Sequence, residues 1–342
     1  MANNKRGYIL MNLGSPDSTQ VKDVRTYLNE FLMDERVIDK PWLLRAMLVK
    51  GIITPFRAPK SAEAYQTIWT KEGSPLVNIT YRQQKALQQL VSEPVEVAMR
   101  YGNPNMKYAY DKLLKENPTV EEVVLLPLYP HYAMSSYETA VEHAKETHKK
   151  GGYPFAIRFV EPFYNHPGFI AALAESIKPH LANADTHLLF SYHSIPEHHV
   201  TKRDPTGTHC LKNPDCCTTP SAAHKFCYRH QCFETTRLVV EKLGLQKHQY
   251  SVAFQSKLGR AEWLKPATTM RMEQMPAEGI KNLAVVCPAF VSDCLETLEE
   301  IAIREKENFI HAGGENYTFI PCMNTQPSWV TAMKALLGNT QS

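Results

Sequence analysis

Seven short apolar runs recur along the chain: GYILMNL at 7–13, VEVAMRY at 95–101, EEVVLLPL at 121–128, FAIRFVE at 155–161, THLLFSY at 186–192, YSVAFQS at 250–256 and KNLAVVCPAF at 281–290. Each is the length of a strand and rich in β-branched or aromatic residues. Longer stretches between them carry apolar residues at helical spacing, as in NPNMKYAYDKLLKEN, HPGFIAALAESIKPHLA and ETTRLVVEKLGL. Strands that alternate with helices predict an α/β protein of parallel sheets flanked by helices. In such sheets, sites form at the carboxyl ends of strands.

The pattern repeats. GYILMNLGSP resembles THLLFSYHSIP, an apolar strand followed by a polar turn ending in Pro. VEEVVLLPLYPHYAMSSYETAVEHA resembles IKNLAVVCPAFVSDCLETLEEIA, although the distance from Pro to Glu differs between them. Two pseudo-equivalent α/β lobes with a cleft between them are expected. The first lobe spans 1–165 and the second 166–342, with an insertion at 205–232. The C-terminal helix is expected to pack back on the first lobe.

Residues 41–57, PWLLRAMLVKGIITPFR, break the amphipathic rule. Their apolar surface is broad, with Arg45, Lys50 and Arg57 expected at its edges. Such a segment is either a core-packed helix or an exposed lip for a membrane or a large flat ligand.

Composition narrows the classes. The chain has 342 residues, is 43% hydrophobic and carries a net charge of +3. That balance argues against a nucleic-acid binder, which needs a basic excess. The N-terminal apolar run is too short for a signal peptide, and no stretch approaches the roughly 20 residues that cross a bilayer. A cytoplasmic protein is expected, peripheral on the inner face of the membrane if the lip is exposed. Thiols clustered in a reducing compartment suit metal ligation better than disulfides. Phosphate-loop, dinucleotide, zincin and nucleophile-elbow motifs are absent from the sequence.

Two places suit proton or metal chemistry. In AFVSDCLETLEEIAI, a helix beginning near Ser292 or Asp293 puts Asp293, Glu296 and Glu300 on one face. Stacked carboxylates at a strand end call for protons or a cation. Asp293 has a helix-capping role as its plainer alternative. His193 stands just past an apolar strand, where an imidazole acts as a base or packs structurally. His131 occupies the corresponding loop of the first repeat.

Seven motifs in order, LMNLGSP, FRAPKSAEAYQTIWTKEGSPL, MRYGNP, LPLYPHYAMSS, FSYHSIP, FQSKLGRAEWLKP and FVSDCLETLEEI, resemble the ferrochelatase family from about residue 7 to residue 338. The resemblance implies two Rossmann-like lobes around a porphyrin cleft, and an enzyme that inserts Fe2+ into protoporphyrin IX to give protohaem. His193 is then the active-site histidine and Glu296 the carboxylate facing it. Asp293 and Glu300 extend an acidic path along a distorted, π-bulged helix. Leu13, Arg57, Tyr65, Ser74, Arg100, His131 and Trp263 fall at porphyrin-binding positions. His131 occupies a variable position, and Cys294 stands where many relatives have His. Leu13 in place of Tyr favours protoporphyrin over coproporphyrin. The alternatives are a cobalt, nickel or coproporphyrin chelatase, or a non-catalytic two-lobed haem- or metal-binding protein.

The segment HCLKNPDCCTTPSAAHKFCYRHQC at 209–232 holds Cys210, Cys216, Cys217, Cys227 and Cys232. It lacks the C-x2-C knuckles of common zinc sites. Some family members carry a [2Fe–2S] cluster in an internal insertion, and four thiolates hold one. The resemblance thus implies a [2Fe–2S] cofactor on four of these five, with either Cys232 the spare or the adjacent Cys216 and Cys217 sharing one ligand role; structural zinc or no metal is the alternative.

Overall fold

The computed structural model describes residues 5–257 and 261–338. The FQSKLGRAEWLKP motif therefore has positions 258–260 outside the described residues. Contacts divide the chain into two compact units. One holds the described residues of Met1–Tyr129, Met134–Glu161 and Val330–Ser342; the other holds Pro130–Ala133 and Pro162–Trp329.

The first unit contains β1 (Arg6–Ser15), β2 (Val95–Gly102), β3 (Glu122–Pro127) and β4 (Ala156–Phe159), all parallel, in the order β2-β1-β3-β4. The second contains β5 (Thr186–His193), β6 (Tyr250–Gln255), β7 (Asn282–Val286) and β8 (Asn316–Phe319), parallel in the order β6-β5-β7-β8. The two orders become identical when β1–β4 are matched to β5–β8 in sequence. The α/β class of parallel sheets flanked by helices is as the sequence predicts, and the repeat extends through all four strands.

Central strands are buried on both faces. Val123, Val124, Leu125 and Leu126 are each wholly buried in β3, as are Leu188 to Phe190 in β5. Helices on both sides of a parallel sheet require such unbroken apolar runs instead of alternation. The eighth strand escapes the sequence reading because it is a short edge strand, half-exposed, with only Tyr317 and Phe319 turned toward the core. Its counterpart reveals it: Val160 N–H bonds Leu125 O at 2.9 Å, and Ile320 N–H bonds Val285 O at 2.9 Å.

Two local features place side chains of interest. Gly14 ends β1 at φ +105°, and a Cβ there would lie 1.8 Å from the Tyr101 carbonyl oxygen. Only glycine lets β1 lie this close to β2 just after Leu13. The segment from Trp42 to Ile68 is helical, with a π-helical stretch at Met47–Ile53.

Candidate active site

In the second unit, β5 ends on His193. The imidazole Nδ1 lies 2.7 Å from the Ser194 carbonyl oxygen. A carbonyl only accepts, so Nδ1 carries a proton, and the tautomer this fixes has its lone pair at Nε2. The Phe290 ring stands edge-on to the imidazole at 6.2 Å, and the Tyr228 hydroxyl donates to the His193 carbonyl at 2.8 Å. Trp263 is held beside the segment that follows: it bridges Pro196, and the Leu264 amide donates to the Ile195 carbonyl at 3.1 Å.

The carboxylates are arranged differently from the expected row. The helix that carries them is π-helical over Glu296–Glu305, in line with the distortion the resemblance implies. Asp293 lies ahead of it in the loop and is 5% exposed. Its Oδ1 accepts from Thr297 Oγ1 at 3.1 Å and the Cys322 amide at 3.1 Å, and its Oδ2 accepts from Asn324 Nδ2 at 2.7 Å. A buried carboxylate needs such donors. Here they tie the loop before the helix to the segment after β8, and Asp293 lies outside the helix that carries Glu296 and Glu300.

Glu300 is a candidate proton holder. The Ser256 hydroxyl donates to its Oε2, and Arg304 pairs with its Oε1 at 3.1 Å. Burial pushes its pKa up and the charge of Glu296 adds to this, while Ser256, Arg304 and His193 pull the other way. Burial holds the Cys294 thiol protonated, and its S–H bonds Glu296. It acts as a donor there and is no soft thiolate.

His131 lies inside the same unit, 2% exposed, with Nε2 bonded to Thr235 Oγ1 at 2.9 Å and its ring edge-on to Tyr192 and Tyr228. Burial lowers its pKa to about 3, so it stays neutral. The sequence reading expected it at a binding surface; the structure packs it in the core.

The remaining candidates fall in the first unit. Leu13 is half-buried, its amide bonded to Asn12 Oδ1 at 2.9 Å, and Asn12 Nδ2 donates to Thr80 at 3.0 Å. Tyr65 is nearly buried, edge-on to Tyr27 and Trp69. Ser74 precedes the helix Pro75–Gln88 without capping it by its side chain. Arg57 is exposed, with no ion-pair partner among the described residues. Arg100 is spent internally: its guanidinium pairs with Asp34 at 2.5 Å, donates to Thr139 at 2.8 Å and lies 4.2 Å over the Tyr101 ring.

The segment at 41–57 proves exposed. Trp42, Leu43, Leu44, Met47, Ile52 and Phe56 are between 57% and 76% exposed. Only Val49 is wholly buried among its large apolar residues. Arg45, expected at the edge, turns inward and donates to the Lys40 carbonyl at 2.8 Å. Its stem fills the space under the helix while its charge satisfies a loop carbonyl.

In the cysteine segment all five thiols are buried and none is in a disulfide. Cys227 hydrogen-bonds both Cys210 and Cys217, and Cys217 also bonds Cys216. Arg229 Nη1 lies 3.2 Å from the Cys217 sulfur and 3.7 Å from that of Cys216. Cys227 caps the helix Tyr228–Leu243, its sulfur accepting from the His230 amide at 3.5 Å. The histidines brace the loop: His209 and His224 donate to the Cys216 carbonyl at 2.6 and 2.9 Å, and His230 donates to that of Cys217 at 2.7 Å. Cys232 is separate, bonded with Tyr228. Among the described residues, no group of three or more His, Cys, Asp or Glu side chains is arranged to hold a metal ion. What fits a cluster is the donor set: four thiols linked in a chain from Cys210 through Cys227 and Cys217 to Cys216, a guanidinium on two sulfurs, and an amide on a third.

Two residues that the sequence reading left without a role tie the site together, Gln255 and Ser256. Both lie in the quoted FQS stretch, so the sequence contained a signal for them without a reason to choose them.

The fold is that of the chelatase-like α/β proteins, two parallel four-stranded sheets flanked by helices. It resembles SirB from Bacillus subtilis with Fe3+ at 9% identity and a TM-score of 0.55, over 98% of this chain and 97% of that one. It also resembles the sirohydrochlorin chelatase SirB from Bacillus subtilis subspecies spizizenii in complex with cobalt at 11% identity and a TM-score of 0.54, over 98% and 95%. At such identity the likeness concerns the fold alone. Sequence goes further. The family model for ferrochelatase matches residues 5–341. The chain is 48% identical to the ferrochelatase of Ectopseudomonas mendocina (strain ymp) over 96% of each chain, and 46% identical to that of Pseudomonas syringae pv. tomato over 96% of each. The chain belongs to the ferrochelatase family.

Proposed function

We propose that this chain inserts Fe2+ into protoporphyrin IX to form protohaem, the terminal step of haem synthesis. Metallation must remove two pyrrole protons and strip water from the incoming ion. The supporting observation is the pairing, within one unit, of an imidazole whose Nε2 lone pair is available with a carboxylate whose proton is held unusually tightly. His193 accepts a pyrrole proton at Nε2. Glu296 and Glu300 take up protons or replace water around the iron in steps, with Arg304 and Ser256 limiting how far Glu300 is neutralised. Leu13, Tyr65 and Trp263 offer apolar or aromatic surface to the macrocycle; Arg57, with Ser74, suits a propionate. Arg100, already neutralised by Asp34, holds the backbone around β2 instead.

The exposed apolar face at 42–56 supports peripheral contact with a membrane from the cytoplasm, where a water-insoluble porphyrin is delivered or released. No helix among the described residues is long and apolar enough to cross a membrane. Cys210, Cys216, Cys217 and Cys227 are proposed to hold a [2Fe–2S] cluster, leaving Cys232 free. When bound, such a cluster supplies a one-electron centre and cross-links the segment.

The test is anaerobic incubation of the purified protein with protoporphyrin IX and Fe2+, following porphyrin fluorescence. The expected result is catalytic loss of fluorescence with haem formation; stoichiometric binding without turnover would leave a carrier.

A further inference from the structure

Gln255 closes β6 and stands opposite His193 in the β5–β6 register. It is 4% exposed. Its main-chain carbonyl accepts the Ser194 amide at 2.7 Å. Its side-chain Oε1 accepts the Ser191 hydroxyl at 2.7 Å and faces the Cys287 thiol at 3.6 Å. Its Nε2 donates to the main-chain carbonyl of Glu296 at 3.0 Å.

Only one orientation of this amide works. The Glu296 carbonyl can only accept, so the NH2 must face it. Ser191, backed by the Thr268 hydroxyl at 2.8 Å, then donates to Oε1. Turning the amide over would set two acceptors against each other at a site closed to water.

We propose that Gln255 is a positioning residue that fixes Glu296 relative to His193. It bonds both the strand end that carries the histidine and the first residue of the π-helical segment that carries the carboxylates. This rests on the metallation reading of His193 and Glu296. A π-helical start leaves the main chain free to settle into the α register, and a bond from a neighbouring strand holds it against that change. Misplacing a reacting group by about 1 Å costs on the order of 100-fold in rate.

Two variants test it. Gln255→Leu keeps the bulk and removes both side-chain bonds. Its kcat for protoporphyrin metallation should fall about 10- to 100-fold at every pH, with KM within about twofold of the parent. Gln255→Glu is nearly isosteric. When protonated, its O–H donates to the Glu296 carbonyl while the other oxygen accepts from Ser191, and the geometry survives. When ionised, it opposes that carbonyl. The titratable groups around it are Cys287, whose thiol meets Oε1, His193 opposite it in the strand register, Glu296, whose main chain it bonds, and Glu300, bonded to the next residue, Ser256. Burial and the two carboxylates favour its protonated form well above the usual range. Gln255→Glu should therefore match the parent at the acid end and lose kcat about tenfold as pH rises, giving a descending limb the parent lacks. Melting curves across the same range keep loss of folded protein separate from loss of turnover.

The proposal fails if the Gln255→Glu profile superimposes on the parent. It fails too if the Gln255→Leu loss equals its loss of folded protein. Should Gln255→Leu not fold, Ser191→Ala removes only the orienting hydroxyl and should lower kcat about threefold with KM unchanged. A parent protein that does not metallate sinks the functional reading itself, an outcome the variants cannot mimic.

Discussion

Replacing Ser256 by Ala tests the electrostatics of Glu300 most directly. Ser256 follows β6 at φ +68°, a left-handed conformation that a non-glycine residue adopts only when held. Its hydroxyl donates to a carboxylate whose side chain is 23% exposed. Ala keeps the backbone strain and removes the bond alone. A hydrogen bond to an ionised group contributes about 1.5–3 kcal/mol, and one to a neutral group about 0.5–1.5 kcal/mol. The variant should therefore lose ~1 kcal/mol where Glu300 is protonated and ~2 kcal/mol where it is ionised.

The sign follows from the direction of the shift. The Glu300 pKa is raised in the folded protein, by burial first and then by the charge of Glu296. The stability that goes with this is fully present below the unfolded value and lost as pH rises through the folded one. Removing Ser256 pushes the pKa higher still, so the gap between variant and parent widens with pH. In melting temperature, the deficit should be about 3 °C at the acid end and about 6 °C at the alkaline end for a unit of this size. Scanning calorimetry across that range measures it. The rising limb of the metallation profile should move to higher pH in parallel. A deficit that is constant with pH would mean that Ser256 does not bond the ionised carboxylate, and would falsify this account of Glu300.

Other perturbations separate the remaining parts. His193→Ala should abolish metallation, by more than about 100-fold, while leaving the circular dichroism spectrum and melting temperature near the parent's, because the hydrogen bond its ring makes is local, to its neighbour's carbonyl. Cys217→Ser should remove the iron–sulfur absorption of freshly purified protein, whereas Cys232→Ser should keep it; loss in both or in neither contradicts the assignment of ligands. Trp42→Asp with Phe56→Asp should abolish flotation with lipid vesicles without changing the melting temperature, since both side chains are exposed. Retained flotation would remove the membrane role of that face.

The motifs that identify the family were legible in the sequence because they are local. FSYHSIP places His193 at a strand end by apolar length alone, and the π-helical carboxylate segment follows its strand in the same way. The cysteine segment resembled a cluster-bearing insertion, and the structure buries all five of its thiols. Other side chains have partners that the sequence does not bring into view. His131 looks like a surface histidine until Thr235, Tyr192 and Tyr228 enclose it. Arg100 reads as a free cation until Asp34, distant in sequence, neutralises it.

Hydrophobic periodicity, motif order and the internal repeat are carried by neighbours along the chain, and they determined the α/β class, seven of the eight strands among the described residues, and the family. Which charged and polar groups remain available is a matter of long-range pairing. The tertiary structure alone decided that Asp293 closes a loop and that the 42–56 face is exposed. It alone joined Gln255 and Ser256 to the carboxylates, because hydrogen bonds and burial form between segments that the sequence keeps 30 to 45 residues or more apart.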